Sequence, residues 1–157
     1  MGCLSATSAV CAQSLEDGFS AWSEGDYSTA LREWQPLAEA GDVDAQSAIG
    51  FMYFNGQGVE QDYLQAFAWY RRAARQGNAL AQNNLALMYA NGNGVQRDDV
   101  RALMWFTLAA ANMESDKART QAAANRDQLA RQMTRQQVDQ AQAMAWRCQQ
   151  TKLQECD

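Results

Sequence analysis

Two helix-period patterns alternate through the middle of the chain, and each returns 36 residues later. In "AQSAIGFMYFN" Ala45, Ile49 and Tyr53 fall on one face; in "AQNNLALMYAN" Ala81, Leu85 and Tyr89 do the same. The second pattern carries Ala66, Trp69, Tyr70, Ala73 and Ala74, matched by Ala102, Trp105, Phe106, Ala109 and Ala110. Its spacings of 3, 4, 7 and 8 form one broad apolar stripe. Between the patterns stands "NGQGV" or "NGNGV". Gly56 and Gly92 sit where a helix C-cap needs a left-handed residue, and Gly58 and Gly94 let the chain turn again. Val59 and Val95 then plug the loop. Asp62 and Asp98 are placed to cap the second helix, with Gln65 giving Asp62 a capping-box spacing. Gly77 closes the turn into the next copy.

A divergent copy precedes these two. "EGDYSTALREWQPLAEAG" aligns with "EQDYLQAFAWYRRAARQG", placing Asp26 over Asp62, Tyr27 over Tyr63, Ala30 over Ala66 and Gly41 over Gly77. Its first helix, around Leu15 to Ser23, lacks the Asn-Gly-x-Gly-Val insert. Three helix pairs are therefore predicted, over 13–41, 42–77 and 78–113. Met113 stands where a closing glycine would continue the series, so the repeats stop there. The segment 114–157 is polar and alanine-rich, with a thin seam of Ala118, Ala122, Leu129 and Met133. Thr134 with Gln137 reads as a capping box opening a last helix that turns Val138, Ala141, Ala145 and Cys148 inward. Repeat stacks need an end cap with one wet face, and 114–157 is assigned that role.

The two full copies, with the partial one before them, resemble the Sel-like repeat (SLR) family, a relative of the tetratricopeptide repeats. The resemblance covers roughly Leu15 to Met113. It implies an all-α fold: a short right-handed solenoid of antiparallel helix hairpins with a concave face. It also implies protein–protein interaction rather than catalysis, and export, as in many bacterial members. Some cysteine-rich relatives are linked to β-lactam or peptidoglycan recognition. Those carry disulfides inside each repeat, and this chain does not.

Composition narrows the chemistry further. A net charge of -5 argues against nucleic acid, which needs a basic face. With no histidine, the commonest general base and metal ligand are missing, and neither metal nor cofactor is expected. The best catalytic candidates would be the adjacent carboxylates Asp98-Asp99 and Glu16-Asp17. Neighbours in a helix diverge, however, and one of each pair has a capping or dipole role. No apolar run approaches the ~20 residues of a membrane span.

The opening "MGCLSATSAVCA" is small, apolar and uncharged. Residues 1–12 read as the remnant of a secretory signal cut after Ala12, with a disordered tail as the alternative. If Cys3 and Cys11 leave with it, Cys148 and Cys156 remain. In an exported protein such a pair predicts a disulfide, placing the chain in a bacterial periplasm or outside the cell.

If the first helix of each pair lines the concave face, that face shows Phe19, Trp22, Ser47, Phe51, Phe54, Asn55, Asn83, Leu87, Ala90 and Asn91. The aromatics lie off the core stripe and are suited to grip a peptide, while the asparagines bond its backbone. The competing expectation is that the C-terminal helices cover them. Gly56, Gly58, Asp62, Trp69, Gly77, Gly92, Gly94, Asp98 and Trp105 are explained by turns, caps and packing. A protein or peptide partner on the concave face is the leading expectation, with an envelope glycan second. Weak self-association through the open solenoid ends is a further expectation.

Overall fold

The computed structural model describes residues 6–154 and Cys156, with side chains from Gln13 onward. The reading of a leader at 1–12 falls largely outside the described residues; the backbone of 6–12 forms the first turns of a helix. Among the described residues there are eight helices and no strand. They are α1 (Ala6–Ser23), α2 (Tyr27–Glu39), α3 (Val43–Asn55), α4 (Tyr63–Ala74), α5 (Ala79–Asn91), α6 (Asp99–Asn112), α7 (Asp116–Ala130) and α8 (Arg135–Gln150). Each packs on the next up to α7, while α8 returns to pack on α6. The product is a helical-hairpin solenoid.

Helix starts follow the sequence closely. Asp26, Asp42, Asp62, Asn78 and Asp98 each accept hydrogen bonds from backbone N–H groups of the turn they cap. Thr134 and Gln137 form the reciprocal capping box. Helices α3 and α5 end in left-handed glycines, Gly56 at φ 68° and Gly92 at φ 72°. The second glycine of each insert does more than turn the chain. A Cβ on Gly94 would stand 2.2 Å from the Tyr63 carbonyl oxygen, and one on Gly58 would stand 2.6 Å from Tyr27 Cβ. Both loops are thus pressed against the first residue of the preceding hairpin's second helix, so these glycines set the approach between neighbouring copies.

The core consists of the predicted stripes. Ala66, Tyr70, Ala73 and Ala74 of α4 meet Ala81, Leu85 and Met88 of α5, and Trp105 with Leu108 fill the layer beyond. Burying each large side chain of this kind contributes about 1.5–3 kcal/mol. Trp69 is buried to 7% exposure, with the Arg72 guanidinium 4.6 Å over its ring. Its copy Trp105 is wholly buried, and its indole N–H has no partner.

Two buried glutamines, 36 residues apart, link the copies. Gln46 Nε2 donates to Ala38 O at 3.0 Å, and Gln82 Nε2 donates to Ala74 O at 3.1 Å. Their Oε1 atoms accept from Gln76 Nε2 at 2.8 Å and Asn112 Nδ2 at 3.1 Å. Each rung adds a side-chain hydrogen bond, from the next copy, to a helix-end carbonyl that also accepts the backbone N–H of Gly41 or Gly77 at 3.1 Å.

At the C-terminal end Ala122, Leu129, Ala141, Ala145 and Cys148 are buried. Cys148 and Cys156 form a disulfide with their Cα atoms 4.7 Å apart. The tail folds back: Arg75 Nη2 donates to Gln154 O at 2.9 Å, and Lys152 and Leu153 turn it through left-handed conformations.

Candidate functional site: the concave groove

Four of the residues expected on the concave face converge. Phe19 and Trp22 of α1 stand opposite Ser47 and Phe51 of α3 around an open cavity of about 300 Å³. Trp34 of α2 forms its back wall, and Leu80 and Asn84 of α5 close one side. The rings meet edge to face, Phe19 with Trp34 at 4.9 Å and Trp22 with Phe51 at 6.0 Å between centroids. Both indoles are anchored. Trp34 Nε1 donates to Leu15 O at 3.2 Å, and Trp22 Nε1 donates to Gln57 Oε1 at 3.2 Å. Gln57 in turn donates to the Tyr27 hydroxyl at 3.3 Å. Both indole rings on the wall are therefore held in place by hydrogen bonds from their N–H groups.

Three apolar side chains around this cavity face solvent: Phe19 is 46% exposed, Phe51 38% and Leu80 56%. Single exposed apolar residues are ordinary, but three around one concavity form a patch of the kind that marks a binding site. The polar groups are few. Ser47 Oγ is buried on the lining with no hydrogen-bond partner. The rim carries Asp44, which accepts from Asn78 Nδ2 at 3.1 Å. Asn84 bonds the Tyr70 hydroxyl beneath, and burial raises that phenol's pKa well above its ordinary value, so Tyr70 stays neutral.

The remaining expected residues lie elsewhere. Phe54 turns into its own hairpin, its ring 5.2 Å from Tyr63 and 6.5 Å from Tyr70, because position 54 faces α4 and not the concavity. Asn55 donates to Phe51 O at 3.0 Å and completes the last turn of α3. Asn83, Leu87, Ala90 and Asn91 face α7. Asn125 Nδ2 reaches Asn83 Oδ1 at 3.5 Å. Leu87, Ala90 and Asn91 share a second cavity of about 300 Å³ with Gln128, Leu129 and Gln132 of α7. Helix α7 therefore borders this half of the face across a cavity of its own, with Asn91 exposed at the rim.

Sequence reasoning missed Trp34, Leu80 and Asn84. A signal existed for the last two: they stand where the preceding copy has Asp44 and Ala48. An exposed leucine replacing an aspartate is the kind of departure a repeat makes for a ligand or a neighbour. Among the described residues no cluster of acidic residues and cysteines is arranged to hold a metal. Asp98 and Asp99 are each engaged by an arginine, Arg101 and Arg97 respectively.

A profile described as the Sel1 repeat matches residues 43–78 and 79–112, the hairpins α3–α4 and α5–α6. A Sel1 repeat protein from Oxalobacter formigenes superposes with a TM-score of 0.62 at 34% identity, over 73% of this chain and 88% of that one. A protective antigen of uropathogenic Escherichia coli displaying an SLR fold superposes with a TM-score of 0.80 at 28% identity, over 92% of this chain. This chain spans 30% of that protein's length. No curated protein matches.

Proposed function

The chain belongs to the Sel1 repeat family, and from that premise we propose that it is an exported adaptor whose open groove binds a peptide segment of a protein partner. Sel1 repeats typically serve protein–protein interaction, and the fold is generally a non-catalytic scaffold. The observation carrying the reading is the anchored aromatic groove: exposed Phe19 and Phe51 opposite each other, backed by hydrogen-bonded Trp22 and Trp34. A wall held rigid before binding lowers the ordering cost that a ligand must overcome. Its apolar lining suits a large apolar side chain of the partner. The buried Ser47 hydroxyl suits one polar contact from that partner's backbone.

Export is supported by the Cys148–Cys156 disulfide and by the small-residue opening of the chain. No helix among the described residues is long and apolar enough to cross a membrane.

Crosslinking capture from a periplasmic extract tests the reading. The parent chain should retain a defined set of proteins that the Phe19→Glu, Phe51→Glu double variant loses, with helix content unchanged by circular dichroism. Equal capture by the variant overturns the groove assignment. Retention on purified sacculi with no protein captured replaces it with glycan recognition.

A further inference from the structure

A second concavity has different chemistry and shares no lining residue with the groove. It lies between α4, the end of α5 and the loop into α6, encloses about 500 Å³, and is lined by Arg71, Arg97 and Arg101 together with Asp98, Phe67 and Tyr89. We propose that it binds an oxyanion, a carboxylate or phosphate group, on a ligand that also carries an apolar moiety.

The repeat supplies its own control. At the equivalent positions, 36 residues earlier, the preceding copy has Gln35, Gln61 and Gln65. All three differences are glutamine to arginine, and all three arginines converge on one cavity. The folding needs of the loop are met in both copies by shared residues: the N-caps Asp62 and Asp98, the plugs Val59 and Val95, and the glycines. Gln61 makes a local structural bond, Nε2 to Phe54 O at 2.8 Å. Arg97 is used differently. Its Nε and Nη2 pair with both oxygens of Asp99 at 2.9 and 3.0 Å.

The carboxylates orient the guanidiniums without consuming them. Arg101 donates Nη1 to Asp98 Oδ2 at 2.5 Å, while Asp98 Oδ1 accepts the Arg101 backbone N–H at 2.9 Å. Arg97 Nη1 and Arg101 Nη2 retain N–H groups for a ligand, and a guanidinium edge matches the planar fork of a carboxylate or phosphate. Three cationic side chains line the cavity, with Asp98 on its wall and Asp99 held by Arg97, in a chain whose net charge is -5. Positive charge is thus concentrated against the trend of the whole molecule. Phe67 and Tyr89, edge to face at 5.4 Å, give the wall an apolar flank.

The test is a ¹⁵N NMR titration of the full chain with inorganic phosphate, N-acetylphenylalanine, its uncharged amide, and sodium chloride at matched ionic strength. Saturable shifts of the Arg97 and Arg101 Nε–H signals with phosphate or the free acid, and not with the amide or chloride, are expected. A response to phosphate alone assigns a phosphate ligand; a response to the acid alone assigns a carboxylate. The Arg97→Gln, Arg101→Gln variant installs the preceding copy's residues and should fold with the parent's thermal midpoint while binding more than about tenfold more weakly. If it loses stability, Arg97→Lys with Arg101→Lys keeps the charge, removes the fork, and should still weaken binding several-fold. Chloride reproducing the shifts, or variants binding as tightly as the parent, overturns the proposal. Phe51→Glu should leave this titration unchanged, which separates its outcome from that of the groove.

Discussion

Hairpins α3–α4 and α5–α6 are two copies of one unit set in opposite surroundings. Both use an aspartate or asparagine cap, a left-handed glycine, a buried glutamine rung and an alanine-aromatic stripe. In the first copy Phe51 faces an open groove; in the second its counterpart Leu87 lies opposite α7. Trp69 lies beneath Arg72 at 7% exposure, whereas Trp105 is sealed in the core. The lesson is a division of labour within the repeat. Shared positions build the stack, and unshared positions fit each copy to what it faces.

The sharpest way to break the comparison is at a shared position. Gly94→Ala places a Cβ against a backbone carbonyl at a φ of +68°, and neither can give way cheaply. A loss of about 3 kcal/mol is expected, from left-handed strain plus overpacking. Gly92→Ala has a similar φ, but its Cβ would stand 3.6 Å from the nearest atoms, those of Arg97, so about 1 kcal/mol is expected. Urea denaturation of both variants checks the pair; equal losses would remove the role of Gly94 in docking neighbouring copies.

Exchanging the unshared residues sharpens the comparison instead. Leu87→Phe extends a ring into the cavity of about 300 Å³ beside α7 and should change stability by less than about 1 kcal/mol. Phe51→Leu trims a ring that is 38% exposed and should cost less than about 1 kcal/mol. Thermal midpoints of the two single variants should therefore lie close to the parent's, while only Phe51→Leu weakens partner capture.

The smallest effect concerns the caps. Hydrogen bonds from Thr29 and Ser28 to the Asp26 carboxylate hold its pKa down, from 3.8 to about 2. A depressed carboxylate favours the folded state above its unfolded pKa, and this contribution is lost as pH falls from about 4 toward about 2. Asp26→Asn keeps the cap acceptor and removes the titration. Its stability should fall slightly less than the parent's over that range, as followed by circular dichroism at stepped pH. Identical acid limbs would show that the Asp26 bonds contribute nothing.

Much of this architecture was legible in the sequence because repetition separates structural needs from local ones. The caps at Asp62 and Asp98, the glycines and the Cys148–Cys156 pair all stand where local chemistry places them. The docking of α7 was not legible. Its seam of Ala122 and Leu129 shows that a face is buried, but an alanine-rich face does not name its neighbour. Phe54 was misplaced for a related reason: at the end of a helix, one residue's rotation decides between groove and hairpin. Gln46 and Gln82 were overlooked because a polar residue in a helix is assigned to water by default. Their constant spacing was the available clue.

That glutamine rung has a consequence for how long the stack can grow. Each unit reaches back to a helix-end carbonyl of the unit before it, while the amide oxygen accepts from the end of its own hairpin, Gln76 or Asn112. The next position in this series is Ala118, which has no amide to extend toward the carbonyl of Ala110. In polymer terms the alanine ends the series of linkages: α7 still packs on α6, but without the side-chain hydrogen bond that joins the earlier units.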